Sequence, residues 1–161
     1  MRDDQWEAML RLLRGESIEP EPVGLIIDCP WLPGWFGTTI LEYLTDDETW
    51  LAANLKVVQE FPGIWFLPGF WAEYGMCTEP SAFGVRCRFH ENDFPHAERV
   101  LLSWQEADRV TVPDCRTDGL LPFVIKRLKH CQSRIGAAGH RIRFAVSRGP
   151  MNIASYLLGQ T

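Results

Sequence analysis

The chain has 161 residues, of which 46% are hydrophobic, so it is long enough to bury the core of one domain. Its 16 Lys and Arg residues against 21 Asp and Glu residues give a net charge of −5, which excludes the basic surface that nucleic-acid binding requires. The apolar runs are far shorter than a membrane span, and the five cysteines show no CxxC spacing. We therefore expect a cytoplasmic protein that acts on a small molecule.

The first half of the chain predicts two buried strands separated by helices. Apolar residues recur at helical spacing over residues 3–14, and the apolar run at 23–27 predicts a strand. Threonines that can cap a helix open residues 38–44, and a longer amphipathic helix is predicted over 46–60. A second apolar run at 64–67 predicts the next strand. This alternation is typical of the βαβ units of a parallel sheet.

The second half of the chain predicts one more unit of the same kind. Residues 85–89 alternate in polarity, as an exposed strand or hairpin arm does, whereas residues 97–113 show no clear period. A helix is predicted over 116–135, a third strand at 141–147, and a final helix at 153–158. We expect the third strand to lie parallel to the first two, with right-handed crossovers.

Polar and aromatic side chains follow the first strand, at the end where parallel α/β folds bind ligands. Asp28 comes directly after the apolar run, and a partly desolvated carboxylate there can have its pKa raised toward acid–base use. A turn residue that accepts hydrogen bonds from nearby backbone N–H groups is an equal alternative for Asp28. Trp31 and Trp35 lie in the loop that follows, which Pro and Gly residues stiffen.

The loop after the second strand, within residues 62–84, has a similar composition. We predict that it joins the first loop in one pocket, with Asp28, Glu73 and Tyr74 as catalytic candidates. The side chains predicted to contact substrate are Trp31, Trp35, Trp71, Cys77, Arg148 and Asn152. The alternative is a structural loop whose aromatic residues cover the core.

Four side chains between residues 87 and 96 have the chemistry of metal ligands: Cys87, His90, Glu91 and His96. Their spacing matches no standard zinc site, and neighbouring histidines in a hydrophilic loop are usually solvated. We predict no metal site from them.

The last unit, RFAVSRGPMNIASYLLG, resembles the strand, Gly-x-Pro and helix element of the uroporphyrinogen decarboxylase superfamily, which includes corrinoid-linked methyltransferases. Three further stretches resemble that superfamily in the same order: the opening helix, the Pro22-Val23 strand with its Leu32-Pro33 loop, and FLPGFWAEYGM. The resemblance covers most of the chain and implies a TIM-type (β/α)₈ barrel. Such a barrel needs about 250 residues, so we expect residues 1–161 to form a single partial domain, its N-terminal half, with about three parallel strands.

Two departures from the family pattern bear on function. Where the decarboxylase has an Arg-Gln-x-Gly-Arg-Tyr segment whose arginines hold substrate carboxylates, this chain reads Ile27-Asp28-Cys29-Pro30-Trp31. At the place of the family's catalytic aspartate it reads Phe66-Leu67-Pro68-Gly69. Without guanidinium groups for bidentate contacts, binding of a polycarboxylate is disfavoured.

The resemblance leaves several functions open. The favoured one is a methyltransferase-like or otherwise divergent enzyme that acts on an apolar or aromatic substrate. A non-catalytic remnant or partner-binding half-barrel is the alternative, and a true uroporphyrinogen decarboxylase, the tetrapyrrole lyase of haem biosynthesis, is the third. No cofactor is expected within this chain, although zinc or a corrinoid would belong to a full barrel of the methyltransferase type. We expect a homo-oligomer, or a missing C-terminal half if the chain is a fragment, to cover the open sheet.

Overall fold

The computed structural model describes residues 1–98 and 103–158, which form helices around a short parallel strand pair. The helices are α1 (Asp3–Leu13), α2 (Trp31–Phe36), α3 (Ile40–Thr45), α4 (Asp47–Glu60), α5 (Leu121–Ala137) and α6 (Pro150–Leu158), with 3₁₀ turns at Pro80–Phe83 and Trp104–Arg109. The strands are β1 (Val23–Leu25), β2 (Ile64–Phe66), β3 (Cys87–Arg88) and β4 (His96–Ala97). Within these residues, no helix has the length and apolar character needed to cross a membrane.

Two small sheets are present in the described part of the chain. β1 pairs with β2 in parallel, with Val23 opposite Ile64, and β3 pairs with β4 as an antiparallel hairpin. The parallel pair confirms the βαβ arrangement predicted for the first half, and β3 confirms the hairpin arm. A parallel pair linked through helices is compatible with part of a barrel.

The predicted helices at 3–14, 46–60 and 116–135 are confirmed, with small shifts at their ends. Asp46 caps α4, since its carboxylate accepts a hydrogen bond of 2.8 Å from the backbone N–H of Thr49. The third of these helices begins at Leu121 and not at residue 116. Asp114 and Asp118 form a side-chain-bonded turn there, in which the N–H of Asp114 donates to the Asp118 carboxylate at 2.8 Å.

One helix was missed, because the loop predicted after the first strand contains α2. Pro33 is the third residue of α2, where a missing N–H costs nothing because the first turn has no intrahelical acceptors. Gly37 ends the helix in the left-handed conformation, with φ of 88°, and its N–H bonds back to the carbonyl of Pro33. Trp31 and Trp35 therefore lie on a helix one turn apart.

The prediction of a third parallel strand was wrong, since residues 141–149 form no regular secondary structure. The backbone of Arg141 exchanges two hydrogen bonds with Met1, at 3.2 and 2.9 Å, in place of a strand ladder. The chain that follows β2 cannot extend the sheet toward this segment. Pro68 has no N–H to donate, and the two residues after it have φ of 71° and 55°, which breaks an extended edge.

The core lies between α2, α3, α4, β2 and α5, with α4 at its centre. Trp50 of α4 is fully buried, packs edge-on against Phe70, and donates its indole N–H to the backbone oxygen of Trp71 at 3.0 Å. Cys131 and Ile135 are the fully buried apolar side chains of α5. This packing fixes the chain that leaves β2 against α4, and so holds the loop at residues 68–79 in place.

A buried arginine connects α5 to α3 and α4. The side chain of Arg127 is 1% exposed, and its Nε donates to the Asp47 carboxylate at 2.5 Å. Its Nη2 donates to the backbone oxygen of Leu44 at 2.7 Å. The guanidinium also lies over the rings of Trp50 and Tyr74, at 5.5 and 5.2 Å from their centroids. Arg127 therefore combines a buried charge, two hydrogen bonds and two ring contacts in one side chain, and all of them would be lost with it.

We predict that Arg127→Ala lowers the free energy of unfolding by about 3 kcal/mol or more, because it opens a cavity and leaves the carbonyl of Leu44 without its donor. Arg134→Ala is the matched control: Arg134 also joins α5 to α4, through Glu48, but both side chains are about half exposed. Solvent screens an exposed ion pair, so its loss should change the free energy of unfolding much less. Urea unfolding of both variants checks this, and equal losses would contradict the role of Arg127.

Candidate functional site

The two loops that leave the parallel strands meet at one place. The N–H of Leu67 donates to the oxygen of Leu25 at 2.8 Å, which continues the pairing of β1 and β2 to their ends. Three residues beyond Leu25, the carboxyl group of Asp28 is buried and lies close enough to Glu73 for that group to raise its pKa. Both groups are thus delivered to the same end of the strand pair, where parallel α/β folds form their sites.

Arg148 joins this pair from the segment that precedes α6. Its Nη2 donates to Glu73 at 2.9 Å, and its Nη1 donates to Glu79 at 3.0 Å. Its backbone N–H donates to the second oxygen of Glu79 at 2.9 Å, and its Nε lies 3.1 Å from the sulfur of Met76. We refer to Asp28, Glu73, Glu79 and Arg148 as the carboxylate–arginine cluster.

The loop between Glu73 and Glu79 is held by its own hydrogen bonds. The hydroxyl of Thr78 accepts from the N–H of Tyr74 at 2.8 Å and donates to the oxygen of Gly75 at 3.0 Å. Gly75 has φ of 59°, and a Cβ there would lie 2.9 Å from the ring of Pro95. Only glycine meets both the positive φ and the lack of room for a Cβ, so the path of the loop from Glu73 to Glu79 depends on Gly75.

The charges of the cluster favour a protonated Asp28. Burial raises the pKa of Asp28 well above its usual value of 3.8, and the hydrogen bond and negative charge of Glu73 raise it further. Burial also opposes ionisation of Glu79, but hydrogen bonds from Arg148 outweigh it and lower the pKa of Glu79. Oδ1 of Asp28 is buried without a hydrogen-bond partner among residues 1–98 and 103–158. The cluster therefore places a carboxyl group with a raised pKa beside two carboxylates that Arg148 binds.

Several of the predicted site residues lie away from this cluster. The ring of Tyr74 packs edge-on against Phe123 and under the guanidinium of Arg127, so it faces the helical core. The indole N–H of Trp71 is buried without a partner in the described part of the chain. Asn152 is exposed on α6. None of these three side chains is a member of the cluster.

Three further predicted residues, Trp31, Trp35 and Cys77, make contacts of their own. Trp31 and Trp35 stack with ring centroids 5.6 Å apart, and the ammonium of Lys56 lies 4.9 Å from the Trp35 ring. Trp31 is 47% exposed and begins α2, three residues beyond Asp28. Cys77 is buried in the loop between the two glutamates and contacts Cys87.

Glu79 is the cluster residue that the sequence-based selection missed. The sequence feature that could have indicated Glu79 is its position in the Cys-Thr-Glu-Pro stretch of the same loop, six residues after Glu73. Among the metal-capable side chains at residues 87–96, His90 packs edge-to-face against His96, with ring centroids 5.0 Å apart. Across the described residues, no three or more His, Cys, Asp or Glu side chains are grouped to hold a metal ion.

A parallel strand pair that delivers acidic side chains from its C-terminal loops is the architecture of an α/β protein with a strand-end site. The family model that matches the chain is uroporphyrinogen decarboxylase (URO-D), over residues 5–161, and the chain belongs to that family. The resemblance drawn from its motifs is thereby confirmed. No curated protein and no solved structure matched the chain.

The protonated state of Asp28 has a consequence for stability. The folded protein binds this proton more tightly than the unfolded chain, whose aspartate pKa is 3.8. The stabilisation is therefore complete below about pH 4 and is lost as the pH rises above that value. Asn cannot lose a proton, so we predict that Asp28→Asn gains stability relative to the parent protein between about pH 4 and 7.

Urea unfolding at several pH values in that range measures the difference. Asp46→Asn is the control, because hydrogen bonds from Thr49 lower the pKa of Asp46, and its effect should stay constant across the same range. If the free energy of unfolding changed equally with pH in the Asp28→Asn variant and in the parent protein, the raised pKa of Asp28 would be contradicted.

Proposed function

We propose that the carboxylate–arginine cluster is the acid–base site of a divergent, methyltransferase-like member of the URO-D family, with Asp28 as its proton donor. The observation that carries this proposal is the 2.9 Å bond from Arg148 to Glu73, the carboxyl group that, together with burial, raises the pKa of Asp28. Two neighbouring carboxyl groups share one proton more easily than they both ionise. Arg148 places the negative charge on Glu73 and so leaves the proton on Asp28.

A neutral carboxylic acid suits the transfer of a methyl group away from oxygen or nitrogen. As the carbon–heteroatom bond breaks and the methyl group passes to a nucleophile, the leaving atom gains negative charge, and a proton from Asp28 neutralises it. The Asp28 carboxylate that results lies against Glu73, so the repulsion of two like charges favours the return of a proton from solvent. Arg148 acts as a positioning residue, since it binds Glu73 and Glu79 and not the leaving group.

The charge of the cluster supports this reading over decarboxylation of a polycarboxylate. With Asp28 protonated, the guanidinium of Arg148 faces two carboxylates, Glu73 and Glu79, so the net charge is −1. Three of the five N–H donors of Arg148 already face Glu73, Glu79 and Met76, and its side chain is 13% exposed, which limits its access to a substrate carboxylate. A tetrapyrrole with several acid groups would be repelled there.

The exposed face of Trp31 supports an apolar or aromatic substrate. This ring is held flat against Trp35 and lies at the start of α2, close in sequence to Asp28. Aromatic ligands gain both apolar burial and ring stacking on such a surface. Cys77, buried in the loop between Glu73 and Glu79, would add to the apolar surroundings.

The nucleophile that accepts the methyl group would come from outside the described residues. Zinc does not fit, because these residues contain no group of three or more suitable ligands, and the proposed chemistry uses no zinc step. A corrinoid, which is linked to the methyltransferase branch of the superfamily, would supply a methyl-accepting centre when bound.

The test uses 2-methoxyphenol as methyl donor and free reduced cobalamin as acceptor, with release of catechol measured by chromatography. We predict that Asp28→Asn lowers the rate about 100-fold or more, which is the usual contribution of a general acid. Asp46→Asn, an exposed helix cap, should leave the rate unchanged. Uroporphyrinogen should release no carbon dioxide. Decarboxylation of uroporphyrinogen, or equal rates in both variants, would overturn the proposal.

Exposed apolar side chains on β1 favour a second candidate function, a non-catalytic half-barrel that pairs with a second copy of itself. Val23, Leu25 and Ile26 are 57%, 43% and 71% exposed, although they belong to or directly follow a strand. β1 is hydrogen-bonded only to β2 in the described residues, which leaves its other edge open. Open apolar strand edges in proteins are usually covered by another chain.

For this second candidate we predict a dimer in sedimentation velocity, which Ile26→Glu converts to monomer. Leu13→Glu is the matched control, because Leu13 is 76% exposed but lies at the end of α1 and not on the strand edge. A parent protein that stays monomeric at about 100 µM, above the Kd range of stable interfaces, would contradict pairing through β1.

A further inference from the structure

Two cysteines from different parts of the site loop lie in contact. The 3₁₀ turn at Pro80–Phe83 reverses the chain, and β3 then brings Cys87 back beside Cys77. The sulfur of Cys87 lies 3.9 Å from the backbone oxygen of Cys77 and 3.7 Å from that of Val85, so the two cysteines are neighbours in space. The residues are ten positions apart in the chain, so the fold brings the pair together.

The two thiols differ in access and in ionisation. Cys87 is half-buried, whereas Cys77 is fully buried. The hydrogen bond from the Cys77 thiol lowers the pKa of Cys87, and the same contact, followed by burial, raises the pKa of Cys77. A half-buried thiol whose pKa is lowered, next to a fully buried thiol whose pKa is raised, is the arrangement of an attacking and a resolving cysteine.

We propose that Cys77 and Cys87 form a reversible redox site, which hydroperoxides oxidise to a disulfide. The Cys87 sulfur attacks one oxygen of hydrogen peroxide, the O–O bond breaks, and Cys87 becomes a sulfenic acid as water leaves. The Cys77 sulfur then attacks the Cys87 sulfur, the S–S bond forms and a second water leaves. Two thiols are oxidised and one peroxide is reduced to two waters.

The position of this pair connects it to the carboxylate–arginine cluster. Cys77 lies between Met76, whose sulfur contacts Arg148, and Glu79, which Arg148 binds twice. A disulfide would close a loop that contains Glu79 and restrict its backbone. We therefore expect oxidation to raise the unfolding midpoint by roughly 5 °C, through loss of unfolded-chain entropy, and dithiothreitol to reverse the shift.

Trypsin separates all five cysteines, because Lys or Arg residues lie between each pair. Cys77 falls in the peptide 57–86 and Cys87 in the dipeptide 87–88. After treatment of the folded chain with hydrogen peroxide, we expect these two peptides to be joined, and to separate on reduction. Free thiols should fall from the five of the sequence to three.

Single substitutions distinguish the roles of the two sulfurs. In Cys77→Ala the sulfenic acid on Cys87 has no resolving thiol, so dimedone should label the peptide 87–88. In Cys87→Ser no disulfide and no midpoint shift should appear. Cys115→Ser is the control, since Cys115 is exposed and its loss should leave the disulfide unchanged. A disulfide between chains, oxidation confined to Cys115, or a full set of free thiols after peroxide would overturn the proposal.

Discussion

The guanidinium of Arg148 binds two carboxylates from a single loop, and the rest of the candidate site follows from that constraint. Glu73 and Glu79 would repel one another if both were ionised without a shared cation. Arg148 keeps them together from a segment about 70 residues further along the chain, and it adds a backbone N–H to the contact. Once Glu73 is ion-paired, the adjacent Asp28 is the carboxyl group that retains a proton.

The parts of the site that could be predicted from sequence are those that depend on strand direction. Asp28 and Glu73 both follow apolar runs, and parallel pairing of β1 with β2 brings the ends of those runs together. The part that could not be predicted is the partner of each acid. Glu79 is positioned by the hydrogen bonds of Thr78 within the loop and by its bond to Arg148. Neither interaction produces a periodic pattern in the sequence that could be recognised.

The errors in the fold have a similar origin. The stretch at 31–36 contains Pro and Gly, which usually indicate a loop, but Pro33 lies in the first turn of α2, where it is tolerated. The apolar run at 141–147 has the composition of a strand, but a strand needs a neighbouring edge with free N–H and C=O groups. In the structure the backbone of Arg141 bonds to Met1 and not to an edge of the pair formed by β1 and β2, and composition does not indicate that choice of partner.

The backbone leaves the extended conformation directly after β2, at Pro68 and the two left-handed residues that follow it, and this change both ends the sheet and creates the candidate site. If the chain after Phe66 continued as a regular strand, alternate side chains would point to opposite faces, and Glu73 would be carried far beyond the end of β1. The turn at residues 67–70 instead folds the chain back against Trp50 of α4, which binds the carbonyl of Trp71. Glu73 is thereby returned to Asp28. The short sheet and the approach of Glu73 to Asp28 therefore both result from this change in the backbone after Phe66. A longer β2 would carry Glu73 away from Asp28.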